Sequence, residues 1–368
     1  MRAVALVLVL APLAGAAPRD DGDRRQGAPT GSVWNAAAPS PGEEAARRAI
    51  DSALDFLAKA QERTGDGSFA VPRQDMDELS YAPLGVSALC TLAFLADGNA
   101  PGRGPHGEIV TRAVEYLLHQ ADLAPGSKEY GYIHAQGDGA SRTHGHGYAT
   151  LALAEAYGMS AGSERIRTAL IAAVERIEKS QGSEGGWHYE PFAIPLHEGS
   201  VTICLVQALR AAENAGIHVD GKVIERAVDY VRRLQKPDGT FRYQLGVERS
   251  SIALTAAGVA TLNAAGHYDE TVIQSGIDAI WSGLMLQEER GEAAEFPEYQ
   301  RLYLAQAFWQ LSDTTHFERW YAEECARLLR TQAPDGSWKG SRFGDCYATA
   351  VNCLVLSLPA GVLPIFQR

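Results

Sequence analysis

His144 and His146 flank Gly145, and a His-x-His pair can hold a metal when further ligands converge on it. The side chains that could join them are His197, Glu198, Asp345 and Cys346, a mixture of imidazole, carboxylate and thiol that would suit zinc. The competing reading is that both imidazoles bond to backbone or to Tyr at crowded helix starts. The acidic run Asp75-Met76-Asp77-Glu78 could donate a proton if its neighbours keep one carboxyl protonated, with Asp77 in that role. It could equally be a solvated turn favoured by the dipole of the helix that follows. Glu198, Ser200 and Thr202 open one apolar helix, and Glu248, Arg249, Ser250 and Ser251 open the next. Arg249 in a cavity mouth would suit a carboxylate or phosphate, or else pair with a Glu while a Ser caps the helix. Tyr299, Tyr303, Phe308 and Trp309 on one helix and Tyr347 on another offer ring faces to an apolar or cationic ligand, or simply fill a core.

Other chemistries lack their motifs. There is no Gly-x-Ser-x-Gly elbow, no phosphate-cradling Gly–Lys loop, no His-Glu-x-x-His and no Cys-Gly-Glu-Gln. The five cysteines (Cys90, Cys204, Cys325, Cys346 and Cys353) are too few for a disulfide scaffold, and most fall on helical patterns. Cys346 and Cys353 lie two turns apart on one helix, too far for a disulfide.

The elements that must position these residues repeat along the chain. Gln closes a helical run at Gln61, Gln120, Gln181, Gln235, Gln287 and Gln332, at spacings of 59, 61, 54, 52 and 45 residues. A glycine turn and an aromatic follow most of them, as in Gly67-Ser68-Phe69, Gly185-Gly186-Trp187, Gly239-Thr240-Phe241 and Gly336-Ser337-Trp338. The second copy is looser, at Gly131-Tyr132, and the fifth is degenerate around Phe296. Each unit pairs an amphipathic helix (Ala49–Gln61, Ile109–Gln120, Val223–Gln235) with one that is apolar nearly all round (Val86–Leu95, Tyr148–Tyr157, Val201–Ala212, Ile252–Ala264). Gly98, Gly158, Gly216, Gly266 and Gly361 read as helix C-terminal caps. Six such hairpins predict an all-α fold of about twelve helices, an (α/α)6 toroid with the apolar helices inside. The alternative is an open solenoid, which would need polar end caps.

The repeats Gln181…Gly185-Gly186-Trp187 and Gln332-Ala-Pro-Asp-Gly-Ser-Trp338 resemble those of the terpenoid cyclase and protein prenyltransferase α/α toroid superfamily. The stretches from Thr143 to Gly158, Gly185 to Pro191 and Leu363-Pro364 resemble exported, planctomycete-type members with prenyltransferase/squalene-oxidase repeats. The resemblance covers about residues 45 to 366. It implies that each Gln bonds to backbone at the next helix start, stacks on the aromatic and satisfies an exposed helix end. Asp75 to Glu78 resembles the Asp-x-Asp-Asp acid motif of protonating terpene cyclases, with Glu in the last place. Those cyclases resemble two barrels with the site between them, whereas this chain has residues for one. Asp345-Cys346 resembles the zinc Asp-x-Cys pair of prenyltransferase β-subunits, without the intervening residue.

The chain has 368 residues, with 33 Lys+Arg against 45 Asp+Glu, a net charge of −12. That balance argues against nucleic acid as a partner. Arg2, the apolar run from Ala3 to Leu13 and the small residues Ala14 to Ala17 read as an export signal over residues 1–17. A flexible linker over 18–42 and the toroid over 43–368 follow, with no membrane span in the mature chain. The resulting expectation is an exported toroid that binds an apolar, isoprenoid or lipid-like molecule, or a protein, at the starts of its inner helices. The expected lining is His144, His146, His197, Glu198, Arg249, Tyr299, Tyr303 and Tyr347, with no cofactor unless His146, Asp345 and Cys346 take zinc. The alternatives are a terpene cyclase or isomerase acting through Asp77, a zinc-dependent prenyltransferase, and a carbohydrate-active (α/α)6 barrel with a carboxylate pair.

Overall fold

The computed structural model describes residues 41–70, 81–138, 142–160, 162–266, 270–340 and 342–367. Among these residues the regular structure is entirely helical. The helices are α1 (Pro41–Thr64), α2 (Pro83–Ala96), α3 (Gly107–His119), α4 (Arg142–Gly158), α5 (Glu164–Ser180), α6 (Gly199–Asn214), α7 (Gly221–Leu234), α8 (Ile252–Ala264), α9 (Glu270–Arg290), α10 (Pro297–Trp309), α11 (Thr315–Thr331) and α12 (Asp345–Ser357). Two 3-10 turns, Leu358–Ala360 and Pro364–Phe366, follow. The span predicted over Ile252–Ala264 is the whole of α8, whereas the predicted Ala49–Gln61 is the middle of a longer α1. The leader and all but the last two residues of the expected linker lie outside the described residues, as does Asp75 to Glu78.

Side-chain patterning sorts the helices into two layers. On α7 the residues Val223, Ile224, Ala227, Val228, Val231 and Leu234 make one buried stripe, and the charged residues lie on the opposite face. On α2 every residue is buried, so that helix must be surrounded. The even-numbered helices pack in a circuit: α2 on α4, α4 on α6, α6 on α8, α8 on α10, α10 on α12, and α12 back on α2. The odd-numbered helices pack outside them, and α1 meets both α11 and α12. The circuit closes, so the architecture is an (α/α)6 toroid and not an open solenoid.

The repeat residues act as staples between units. Gln61 Nε2 donates to the Gly67 and Ile109 carbonyls, Gln181 Nε2 to Gly185 and Val223, and Gln235 Nε2 to Gly239 and Val272. Gln332 Nε2 donates to Gly336 and, across the seam between the last and first units, to the Ala49 carbonyl at 2.8 Å. One acceptor of each pair is the turn glycine; the other is a carbonyl of the next outer helix, at its start as expected for Ile109, Val223 and Val272, and two turns in for Ala49. The amide therefore clamps two helices together, and the expectation that it satisfies free helix-end groups is corrected. The turn glycine presses on the same neighbour. A Cβ on Gly67, Gly131, Gly185, Gly239 or Gly336 would stand 2.0–2.5 Å from the carbonyl oxygen of Arg112, Ala172, Arg226, Ser275 or Ser52 respectively. All five glycines also have φ between 82° and 94°, a region that other residues enter at a cost.

Two residues beyond each glycine, a backbone N–H donates to a side chain of an inner helix. Phe69 donates to Ser87, Trp187 to Thr202, Phe241 to Thr255 and Trp338 to Thr349, each at 3.1 Å. In the second unit this place belongs to Ile133, not to Tyr132 as the sequence suggested, and its N–H donates to His146 Nδ1 at 3.1 Å. Gly98, Gly216 and Gly266 do end inner helices in the left-handed region, whereas Gly361 ends the 3-10 turn that follows α12. Gly158 instead finishes α4 within the helix, and the left-handed residue after α4 is Gly162.

Candidate functional site

The inner helices all begin at one end of the ring, and their first turns form a mouth. At the start of α6 the buried Glu198 carboxylate accepts from the Ser200 and Val201 backbone N–H groups, at 3.1 and 2.7 Å, and so caps the helix. The Ser200 hydroxyl donates to the same carboxylate, at 2.7–2.8 Å. His144 Nε2, at the start of the adjacent α4, lies 3.0 Å from the Ser200 oxygen. With the Ser200 proton turned to an ionised Glu198, the imidazole donates through Nε2–H. Burial pushes His144 down to about 4, which keeps it neutral near pH 7. Burial also pushes the Glu198 carboxyl up, against the bonds from Ser200 and Val201 and the more distant Arg249 charge. A carboxyl, a hydroxyl and a neutral imidazole in series can pass a proton or orient a polar group. Glu198→Ala should cost about 2 kcal/mol, because two helix N–H groups and Ser200 lose their acceptor. Chemical unfolding measures the cost, and a loss below about 0.5 kcal/mol would show the cap to be unimportant.

Tyrosines line the ring behind this series. The phenols of Tyr148 on α4 and Tyr303 on α10 lie close enough to perturb each other, and these two helices stand opposite each other in the circuit. Their hydroxyls therefore meet across the ring's axis. The Tyr303 hydroxyl also reaches Gln207 of α6, whose amide donates to Gln306 of α10 at 2.7 Å. Tyr299 packs on Tyr303 with ring centroids 4.6 Å apart, and Tyr347 faces the same group from α12. Tyr148 and Tyr299 remain partly exposed although they sit on the inner ring. The Tyr299 hydroxyl is buried without a hydrogen-bond partner among the described residues. Around the rim Tyr189 is hydrogen-bonded to Tyr243, Arg142 pairs with Glu190, and Arg249 pairs with Glu295 at 2.7 Å.

The structure thus brings His144, Glu198, Tyr299, Tyr303 and Tyr347 to the mouth and axis, and three expected residues fall elsewhere. His146 points outward between the layers, where it replaces the Ser or Thr of the other units. Accepting at Nδ1, and pushed down to about 3 by burial, it is a neutral imidazole fixed by Ile133. His197 lies against the Gly182–Gly186 turn and edge-on to Tyr230 of the outer α7, with Nε2 3.0 Å from the Ile194 carbonyl. Arg249 is 58% exposed, stacked over Tyr243 and paired with Glu295, so it belongs to the rim and not to a pocket. Asp345 is held by Lys339 and the Gly340 N–H, and burial pushes the Cys346 thiol up to about 12, which disfavours the thiolate a metal needs. Among the described residues no three His, Cys, Asp or Glu side chains gather as a metal site.

Sequence reasoning missed Tyr148, Tyr189, Gln207, Tyr243 and Gln306. Helical spacing carried the signal for some of them: His144 and Tyr148 share one face of α4, and Tyr299, Tyr303 and Gln306 share one face of α10.

No family model matches the chain, and no curated protein does either. Solved structures do. A type II terpene cyclase, MstE from Scytonema, in complex with geranylgeranyl dihydroxybenzoate, superposes with a TM-score of 0.57 at 18% identity. The match takes in 88% of this chain and 99% of that one. A sugar epimerase from a ruminal bacterium matches with a TM-score of 0.61 at 13% identity, over 86% and 98% of the two chains. A GH76 α-mannanase from Bacteroides thetaiotaomicron matches at 0.60 and 10%, over 86% and 95%. At these identities the likeness shows the fold alone, an α/α toroid, which the cyclase, the epimerase and the mannanase share. It also corrects the expectation drawn from length, because a terpene cyclase of this type is matched over nearly its whole chain by this single ring.

Proposed function

We propose that this chain binds an isoprenoid-class molecule, an apolar chain with a polar head, through the mouth formed by its inner helices. The observation that carries this reading is the set of tyrosines on the axis, two of which, Tyr148 and Tyr299, stay partly exposed inside a closed circuit of helices. Aromatic faces suit an apolar chain, and the Glu198–Ser200–His144 series at the mouth suits a hydroxyl or other polar head. The Arg2–Ala17 leader is proposed to export the protein, which N-terminal sequencing of secreted material would test.

Geranylgeraniol is the probe for binding. Titration followed by intrinsic fluorescence should saturate in the micromolar range, and Tyr148→Ala combined with Tyr299→Ala should weaken binding at least tenfold, about 1.4 kcal/mol. Absence of saturable binding, or unchanged affinity in the double variant, overturns the reading. Native mass spectrometry of chain purified without chelator adds a separate check, since the mass of one bound zinc would restore a metal site.

A second reading is cyclase or isomerase chemistry with Asp77 as acid. It is favoured by the match over the whole length of the Scytonema cyclase. Asp77→Asn should abolish product from a linear polyprene, and wild-type protein that yields no cyclic product at about pH 5 to 7 removes this reading.

A further inference from the structure

The far end of the ring, where the inner helices finish, is crossed by the C-terminal segment. After α12 the chain makes one 3-10 turn and reverses at Gly361, whose φ is +60°. The next residues run back over the ends of the inner helices. Ile365 N–H donates to Glu155 Oε1 of α4 at 3.2 Å, and the Phe366 carbonyl accepts from Trp309 Nε1 of α10 at 2.7 Å. Because α4 and α10 are opposite members of the circuit, two successive residues bridge the ring across its diameter. Leu363, Ile365 and Phe366 are buried by this crossing. Further up the axis, Tyr148 and Tyr303 also meet across the ring. Tyr148 lies seven residues before Glu155 on α4, about 10 Å along the helix.

We propose that residues 358–367 are a detachable strap that closes the rear of the ring, latched by the Glu155 carboxyl and the Trp309 indole. Two features set this contact apart from an ordinary packed terminus. First, it is poorly satisfied, since the second oxygen of its own latch, Glu155 Oε2, is buried without a hydrogen-bond partner among the described residues. Native interfaces seldom leave such a group unpaired, and this one favours the open state, in which water reaches it. Second, the latch is a lone acid. Burial raises the Glu155 carboxyl to about 8, the Ile365 N–H opposes this, and among the described residues no charged side chain contributes. In the open strap the group returns to the ordinary glutamate value. The closed strap therefore keeps its full stability below pH 4.5, loses it progressively as pH rises towards about 8, and stays level above that. The strap does not depend on what the front mouth binds.

Hydrogen exchange of the full chain, read by mass spectrometry on the peptide covering 358–367 and on α12, tests the proposal. After correction for intrinsic rates, the strap should exchange at least tenfold faster than α12 at pH 8, with the gap narrowing towards pH 5. Glu155→Gln should remove the pH dependence of that gap. Trp309→Phe should widen the gap at every pH and leave its slope unchanged, which keeps the test open even if Glu155→Gln folds poorly. Strap and α12 exchanging together at all pH values would show that the segment opens only on global unfolding and overturn the proposal. A pH-dependent gap that persists unchanged in Glu155→Gln would remove the latch.

Discussion

Gly336→Ala is expected to cost more than 4 kcal/mol, enough to abolish cooperative folding in a domain of ordinary stability. The backbone at Gly336 has φ +89°, and a Cβ there would lie 2.1 Å from the carbonyl oxygen of Ser52 in α1. That oxygen is part of the α1 backbone and cannot rotate away as a side chain would. The contact also lies on the seam where the sixth unit meets the first, beside the Gln332 bond to Ala49. Relief would require α1 to move away from the turn, which opens the ring. Gly216→Ala supplies the comparison. Its φ is +83°, yet nothing lies within 4 Å of the added atom. It should cost only the conformational penalty, about 1–2 kcal/mol. Urea denaturation of both variants reads the difference, and equal losses would show that backbone conformation, not the approach of α1, decides the effect.

Glu155→Gln is expected to stabilise the protein at alkaline pH, by about 2 kcal/mol at pH 8, and to destabilise it by about 1 kcal/mol at pH 5. The native carboxyl titrates at about 8 because it is buried, against 4.5 for an ordinary glutamate. Below pH 4.5 native and unfolded chains both hold the proton, and stability does not change. Between the two values only the native state holds it, so wild-type stability falls by up to about 1.4 kcal/mol per pH unit. Above about pH 8 the curve flattens. The amide cannot ionise and still offers an oxygen to Ile365 N–H. Its own buried NH2 lacks an evident acceptor, which costs about 1–3 kcal/mol and reduces the gain. Thermal unfolding across pH 5 to 9 should give a falling wild-type curve and a flat variant curve. Parallel curves would mean that Glu155 is hydrated and titrates normally.

The residues at the mouth show why some roles were legible and others were not. His144 and His146 have the same type, lie two positions apart and sit on one helix. A helix turns about 200° in two residues, so one faces the mouth and the other faces the outer layer. The pair could never converge on one metal. Register between units would have separated them, because His146 stands where Ser87, Thr202, Thr255 and Thr349 stand in other repeats. Tyr148 was passed over because a tyrosine on an apolar helix reads as core. Only the opposition of α4 and α10 turns it into one half of a bar across the axis.

The sequence by itself determined the repeat and the layering, and the packing of α12 on α2 decided the closure. A glutamine and a tight glycine turn fix where a hairpin docks on the next at Gln61, Gln181, Gln235 and Gln332, whereas Gln287 lies within α9 and accepts from Gln300. The contrast between helices with one apolar face and helices with apolar faces all round decides which layer is inside. These are local or nearest-neighbour properties, and spacing and residue type encode them. Which polar residues share a space was decided by tertiary structure alone. The contacts of Tyr148 with Tyr303, Gln207 with Gln306, and Glu155 with Ile365 join residues 155, 99 and 210 positions apart. They depend on which helices face each other once the ring has closed, and no spacing along the chain carries that information.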